Sequence, residues 1–187
     1  MRELDTPQGL ARVLEQEAPD PWARLVLGHG AGGSVSAPDL QIAARTALEE
    51  GVSVALVEQP YRVAGKKSTP RPPVLDAAWV SVLEQIDDGL PHIGGGRSSG
   101  ARVACRTAAQ TGAIGVLCLA FPLNTPSGAS RQEELDAVTV PLLVIQGTSD
   151  RFGMPANAVQ VTGDHGLKSD RGAIADAIRG WLGTLRG

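Results

Sequence analysis

Gly96-Arg97-Ser98-Ser99-Gly100 spells Gly-x-Ser-x-Gly between the apolar Ile93 and the small-residue run Ala101-Arg102-Val103-Ala104. The pattern describes a nucleophile elbow, a sharp strand-to-helix turn that lifts a serine Oγ out at the top of a parallel sheet. Register selects the serine: Ser98 has glycine two residues before and two after, whereas Ser99 has Arg97 and Ala101 there. Glycines suit these places because the turn crowds backbone against backbone while the serine takes a strained φ/ψ. A flexible Gly/Ser loop is the plainer reading of the same letters. The strand signal before the motif and the helix signal after it argue against that.

Working outward, the apolar runs lack alternation. Leu25-Val26-Leu27, Val52 to Val57, Ile114 to Leu119 and Leu142 to Ile145 read as strands buried on both faces, as in a parallel sheet covered by helices. Helix-period segments alternate with them: Pro38 to Glu50 ending at Gly51, Pro73 to Ile86, Gly100 to Thr111, and about Gly172 to Leu185. Residues 2–6 and 11–16 instead alternate with period 2 around Pro7-Gln8-Gly9, which predicts an antiparallel hairpin. The whole, residues 1–187, reads as one doubly wound α/β domain with an antiparallel N-terminal edge and helices on both faces. Only Phe121 to Arg131 separates the strand after the elbow helix from the next helix-like segment, Gln132 to Val138, so no lid is expected over the mouth.

Composition narrows the function classes. With 17 basic and 20 acidic residues the formal charge is -3, which gives no electrostatic case for nucleic acid or a membrane surface. The densest positive patch, Arg62, Lys66, Lys67 and Arg71, reads as a solvated loop. The N-terminus lacks the apolar core of a signal peptide, and no apolar run reaches spanning length. Cys105 and Cys118 sit in apolar surroundings and are expected to be buried free thiols, in keeping with a cytoplasmic protein.

A serine nucleophile needs a base, an orienter for that base, and donors for a developing oxyanion. The chain has 3 histidines. His92 precedes the elbow strand and belongs below the site. His29 lies in Gly28-His29-Gly30-Ala31-Gly32-Gly33, where the backbone is better placed to donate. His165 remains, in the polar turn Gly163-Asp164-His165-Gly166. Asp150 closes a strand through Gly147-Thr148-Ser149 and is the expected orienter, whereas Asp164 adjoins His165 and its side chain should diverge. The order Ser98, Asp150, His165 is the chain order of the α/β-hydrolases.

One rival uses the glycines differently. Gly28 to Gly33 matches Gly-x-Gly-x-x-Gly after a strand, and Glu58 ends the next strand, as in dinucleotide-binding proteins. The following helix starts only near Pro38, however, and this reading leaves Ser98, Asp150 and His165 unused. In the hydrolase reading the Ala31 N–H, beside that of Ser99, faces the oxyanion.

The chain as a whole resembles the small dienelactone-hydrolase-like α/β-hydrolases, which include the testis-expressed hydrolase-like proteins and a subunit of a histone-acetyltransferase regulatory complex. The resemblance rests on Gly28 to Gly32, Pro60-Tyr61-Arg62, Gly95 to Ser98 with Gly100-Ala101-Arg102, Phe121-Pro122-Leu123, Gly147 to Asp150 with Phe152-Gly153, and Asp164-His165 with Leu167-Lys168. It implies Ser98, Asp150 and His165 as the triad. Ser99 replaces the usual methionine, Ala101 a common glycine, and Asn124-Thr125-Pro126 a common His-Pro-Pro. The expected function is hydrolysis of a carboxylic ester or thioester through an acyl-Ser98 intermediate, with no metal or organic cofactor. Tyr61, Arg62 and Asn124 follow strand ends on the mouth side and are candidate substrate contacts. The non-enzymatic alternative is a hydrolase-fold module that binds a protein partner.

Overall fold

The elbow motif lies at the middle of an eight-stranded sheet in the computed structural model, which describes residues 1–187. In chain order the elements are β1 (Arg2–Thr6), β2 (Gly9–Gln16), β3 (Ala23–Gly28), α1 (Pro38–Glu49), β4 (Val52–Glu58), α2 (Pro60–Val63), α3 (Pro72–Ile86), β5 (His92–Arg97), α4 (Ser99–Thr111), β6 (Gly115–Leu119), α5 (Gln132–Asp136), β7 (Leu142–Gly147), β8 (Val159–Val161) and α6 (Arg171–Arg186). The strand order is β1-β2-β4-β3-β5-β6-β7-β8. From β4 to β8 every pairing is parallel, whereas β1 with β2 and β2 with β4 are antiparallel. The antiparallel N-terminal edge is therefore present as the alternation of residues 2–16 predicts.

Successive strand side chains go to opposite faces. Leu25, Leu27, Val54, Leu56, Ile93, Leu117 and Ile145 join one core with α1 and α6. Val26, Ala55 and Val57 face the other way into a core with Trp79 and Val82 of α3. Val116, Cys118 and Val144 join Ala101, Ala104 and Ala108 of α4. The two cysteines meet in this last core, buried and free, with their sulfurs 3.4 Å apart. The Cys105 contact, followed by burial, holds the Cys118 thiol well above its ordinary pKa.

Three features of the fold place the site. The chain leaves β3 toward β4 on one side and later enters β5 on the other. The crevice between β3 and β5 is thus the topological switch point, where ligands bind at the carboxyl ends of strands. The link from β6 to β7 carries only a short bridge, Asn124 with Ser130, and the five-residue α5, so no lid covers that crevice. No helix is long and apolar enough to cross a membrane.

Candidate active site

The elbow forms as its glycines demand. Ser98 sits between β5 and α4 at φ 52°, ψ −108°, a conformation that non-glycine residues rarely adopt. A Cβ at Gly96 would stand 2.5 Å from the Gly28 carbonyl oxygen, and one at Gly100 would overlap that oxygen outright. Only glycine at both positions lets α4 start so close to β3. The Ser98 N–H donates to the Leu119 carbonyl at 2.9 Å, which ties the turn to β6.

Asp150 and His165 are brought to this serine from two other loops. The Ser98 hydroxyl lies 3.0 Å from His165 Nε2, and His165 Nδ1 lies 2.8 Å from Asp150 Oδ2. The carboxylate can only accept, so Nδ1 carries the proton and Nε2 is free to accept from Ser98. The Asp150 carboxyl group is fully buried and its lone pairs are occupied on both oxygens: Gln146 Nε2 donates to Oδ2 at 2.8 Å and the Phe152 N–H to Oδ1 at 2.9 Å. Gln146 also donates to the carbonyls of Phe121 and Gly153, which clamps the strand end that carries the acid. Phe152 meets the His165 ring edge-on, centroids 4.6 Å apart. Asp164 is exposed and caps its own turn, accepting from the Gly166 N–H at 2.8 Å.

The glycine loop after β3 runs alongside Ser98. A Cβ at Gly30 would stand 3.5 Å from Ser98 Cβ. Neither the Ala31 nor the Ser99 N–H donates to an acceptor within the protein. His29 is buried, and the Gln59 N–H donates to its Nε2 at 3.0 Å, so Nδ1 carries the proton and donates to the Gly30 carbonyl at 2.8 Å. Burial holds its pKa below the usual histidine value, and the ring stays neutral. Helix α1 begins only at Pro38, and the Arg97 guanidinium occupies the space beside Asp39 in its first turn. The helix that follows the glycine loop, α1, is therefore not the one aimed at these glycines, as the pyrophosphate site of a dinucleotide-binding unit would require. His92 stands at the amino end of β5, 3.2 Å from the Thr111 hydroxyl.

The three candidate substrate contacts separate. Tyr61 is buried, and its hydroxyl donates to the Ala31 carbonyl at 2.8 Å, so it braces the glycine loop from behind. Asn124 packs its amide against Gly153 in the Asp150 loop, and its N–H donates to the Phe152 carbonyl at 2.7 Å. Arg62 is half-buried along its own loop, with one guanidinium nitrogen 3.5 Å from the Lys66 carbonyl. Sequence reasoning missed Gln146, Phe152 and the partners of Arg97. No cluster of three or more His, Cys, Asp or Glu side chains is assembled that would hold a metal ion.

Known proteins match this picture at the level of fold. The alpha/beta hydrolase domain model matches residues 21–171. A serine hydrolase without a lid from Xanthomonas campestris is 21% identical, with 96% of this chain and 93% of that chain covered and a TM-score of 0.72. Est1E from Butyrivibrio proteoclasticus, solved with ferulic acid bound, is 13% identical, with 100% and 99% covered and a TM-score of 0.82. Dienelactone hydrolase from Anabaena variabilis is 14% identical, with 98% and 95% covered and a TM-score of 0.75. No curated protein matches the chain in sequence.

Proposed function

Because the chain belongs to the α/β-hydrolase domain family, we propose that it is a serine hydrolase that cleaves a carboxylic ester or thioester through an acyl-Ser98 intermediate. The observation that carries this reading is the unbroken line of contacts from Ser98 Oγ through His165 to a buried Asp150, built on a serine at φ 52°. Backbone strain of this kind persists only where surrounding structure enforces it, and it clusters at working sites.

The chemistry follows from the partners. His165 Nε2 takes the Ser98 proton as Oγ attacks the substrate carbonyl carbon, and Asp150 stabilises the imidazolium through the Nδ1–H. The carbonyl oxygen, now an oxyanion, is held by the free N–H groups of Ala31 and Ser99. The imidazolium returns its proton to the leaving alkoxide or thiolate, which departs and leaves acyl-Ser98. A water, deprotonated by the same His165, then releases the acid and restores the serine. The nucleophile, base, orienting acid and oxyanion donors of this cycle are all groups of this chain, and water is the co-substrate. Arg62, on the mouth side, is the remaining candidate for contact with the substrate.

A fluorophosphonate probe tests the reading. Wild type should label stoichiometrically, Ser98→Ala should not label at all, and Ser99→Ala should still label because that residue supplies mainly its N–H. Labelling of Ser98→Ala at the wild-type rate would overturn the assignment. The uncovered mouth adds a second expectation. Short or compact p-nitrophenyl esters and acyl thioesters should be turned over without activation at an interface. A sharp rise in rate above the critical micelle concentration of a long-chain ester would contradict it.

A further inference from the structure

Arg97 fills the first free position of the Gly-x-Ser-x-Gly motif, and no step of the proposed chemistry uses it. Its guanidinium nevertheless has a defined place. Nε stands 2.8 Å from Asp39 Oδ2, and Nη2 donates to the His165 carbonyl at 2.8 Å. Nη1 lies 3.1 Å from where a Cβ on Gly30 would stand, so the fork also flanks the glycine loop. One side chain, covalently next to the nucleophile, thus grips the segment that carries the base.

Asp39 makes the grip directional. Its carboxyl group is fully buried in the first turn of α1. Burial pushes its pKa upward, and Arg97 is the main opposing influence, helped by the Leu40 N–H at 3.0 Å. A helix N-terminus also favours the charged form. A buried carboxylate is tolerated when a charge partner and hydrogen bonds meet it, and the planar guanidinium can serve Asp39 and a carbonyl at once where a lysine ammonium serves one point. The held segment is a short turn in which Gly163, at φ 137°, and Gly166 stand on either side of Asp164-His165, and Arg97 is the side chain that holds the His165 carbonyl itself.

We infer that Arg97 is a positioning residue for His165, with Asp39 as the fixed post that orients its fork. This rests on the reading of Ser98 and His165 as nucleophile and base. The guanidinium acts through the His165 backbone and keeps Nε2 within reach of Ser98 Oγ.

Arg97→Met keeps the stem and removes the fork. Its fluorophosphonate labelling rate and kcat should fall roughly 10- to 100-fold, with KM little changed, since small misplacements of a catalytic group have effects of that order. Arg97→Lys should recover part of the loss. In a His165→Ala background, Arg97→Met should cause no further loss, because the group it positions is already gone. A merely structural ion pair would cost the same factor in both backgrounds. An independent readout is the low-field Nδ1–H proton resonance of His165, absent in His165→Ala. It should be sharp in wild type and in the surface control Arg45→Gln, and lost or broadened in Arg97→Met.

If Arg97→Met does not fold, Asp39→Asn leaves the guanidinium but frees its fork, and should show a smaller loss in the same direction with the same dependence on His165. Wild-type labelling together with an unchanged resonance in either variant would overturn the inference. So would equal losses with and without His165. If the wild-type protein failed to label at Ser98, the reading of the site would fall, and the resonance would still decide whether Arg97 holds the imidazole.

Discussion

Two histidine-bearing loops stand at the carboxyl ends of this sheet, and each engages both nitrogens of its ring. In the glycine loop, His29 donates to the Gly30 carbonyl and accepts from the Gln59 N–H. In the turn after β8, His165 faces Asp150 on one side and Ser98 on the other. The first ring is satisfied by backbone groups that neither gain nor lose a proton. The second is flanked by a carboxylate that welcomes a positive charge and a hydroxyl that can supply the proton. What separates a structural histidine from a candidate base is therefore the chemistry of its partners, since both rings lie past the carboxyl ends of strands and each makes two hydrogen bonds.

The largest expected effect breaks the His165 side of this comparison. Asp150→Asn keeps the shape but replaces a carboxylate that fixes the tautomer and stabilises imidazolium, so kcat should fall on the order of 10⁴-fold, as in a well-studied triad. Asp164→Asn should lose little turnover, because that side chain is exposed and caps its own turn. If the two substitutions behaved the other way round in steady-state assays, the acid would have been assigned to the wrong loop.

The His29 side should break in stability instead of rate. His29→Ala leaves the Gln59 N–H and Gly30 carbonyl without their partner in a buried place, which costs about 1–3 kcal/mol per unsatisfied group. Turnover per folded molecule should fall far less than with Asp150→Asn. His165→Ala should show the crossed pattern, near-normal melting temperature with turnover lost. A pH signature belongs to the same ring. Burial lowers the folded pKa of His29 below the ordinary histidine value of about 6.5. Above that value both folded and unfolded rings are neutral and no penalty exists. Below it the unfolded chain takes up a proton that the folded chain refuses, so stability declines as pH falls toward the folded value. His92, also lowered by burial, contributes with the same sign, and Asp39, raised by burial, with the opposite one. The difference between wild-type and His29→Ala denaturation curves across pH isolates the His29 share. A difference independent of pH would mean that folding leaves the proton affinity of this ring unchanged.

Much of this contrast was legible in the sequence, for reasons that also explain what was not. Ser98 announces itself because its glycines are local requirements of one turn. Asp150 and His165 follow from chain order and from elimination among three histidines. The buried strands were visible as unbroken apolar runs, whereas β5 was signalled by Ile93 alone, because Gly94-Gly95-Gly96 carries little strand propensity. There the strand is dictated by its neighbours, since a Cβ on Gly95 would stand 2.8 Å from the Leu117 carbonyl oxygen. The supporting residues left no local trace. Arg97 meets a carbonyl 68 residues away, and Gln146 joins a loop, an acid and a preceding strand end with one amide. Tyr61 lay on the mouth side by its strand-end position, but the short α2 that turns its hydroxyl inward was too brief for periodicity to show.

Tyr61 gives the smallest and most discriminating test. Its hydroxyl is the one side-chain donor to the Ala31 carbonyl, on the peptide that follows the one whose N–H, that of Ala31, is a candidate oxyanion donor. The loop has other restraints, notably the Gly33 N–H to the Gly30 carbonyl at 3.0 Å and the His29 ring beneath it. Tyr61→Phe removes the oxygen and leaves the buried ring in place, so stability should drop by about 1 kcal/mol, the net worth of one ordinary hydrogen bond. The rate of acylation should fall only a few-fold, because the donor is loosened but not deleted. Probe-labelling rates set beside thermal melts separate the outcomes. A loss as large as that of Asp150→Asn would mean that the tyrosine hydroxyl acts on the substrate directly. An unchanged rate with an unchanged melt would mean that the glycine loop is held by its own backbone, and the His29 segment would then be rigid without help from outside.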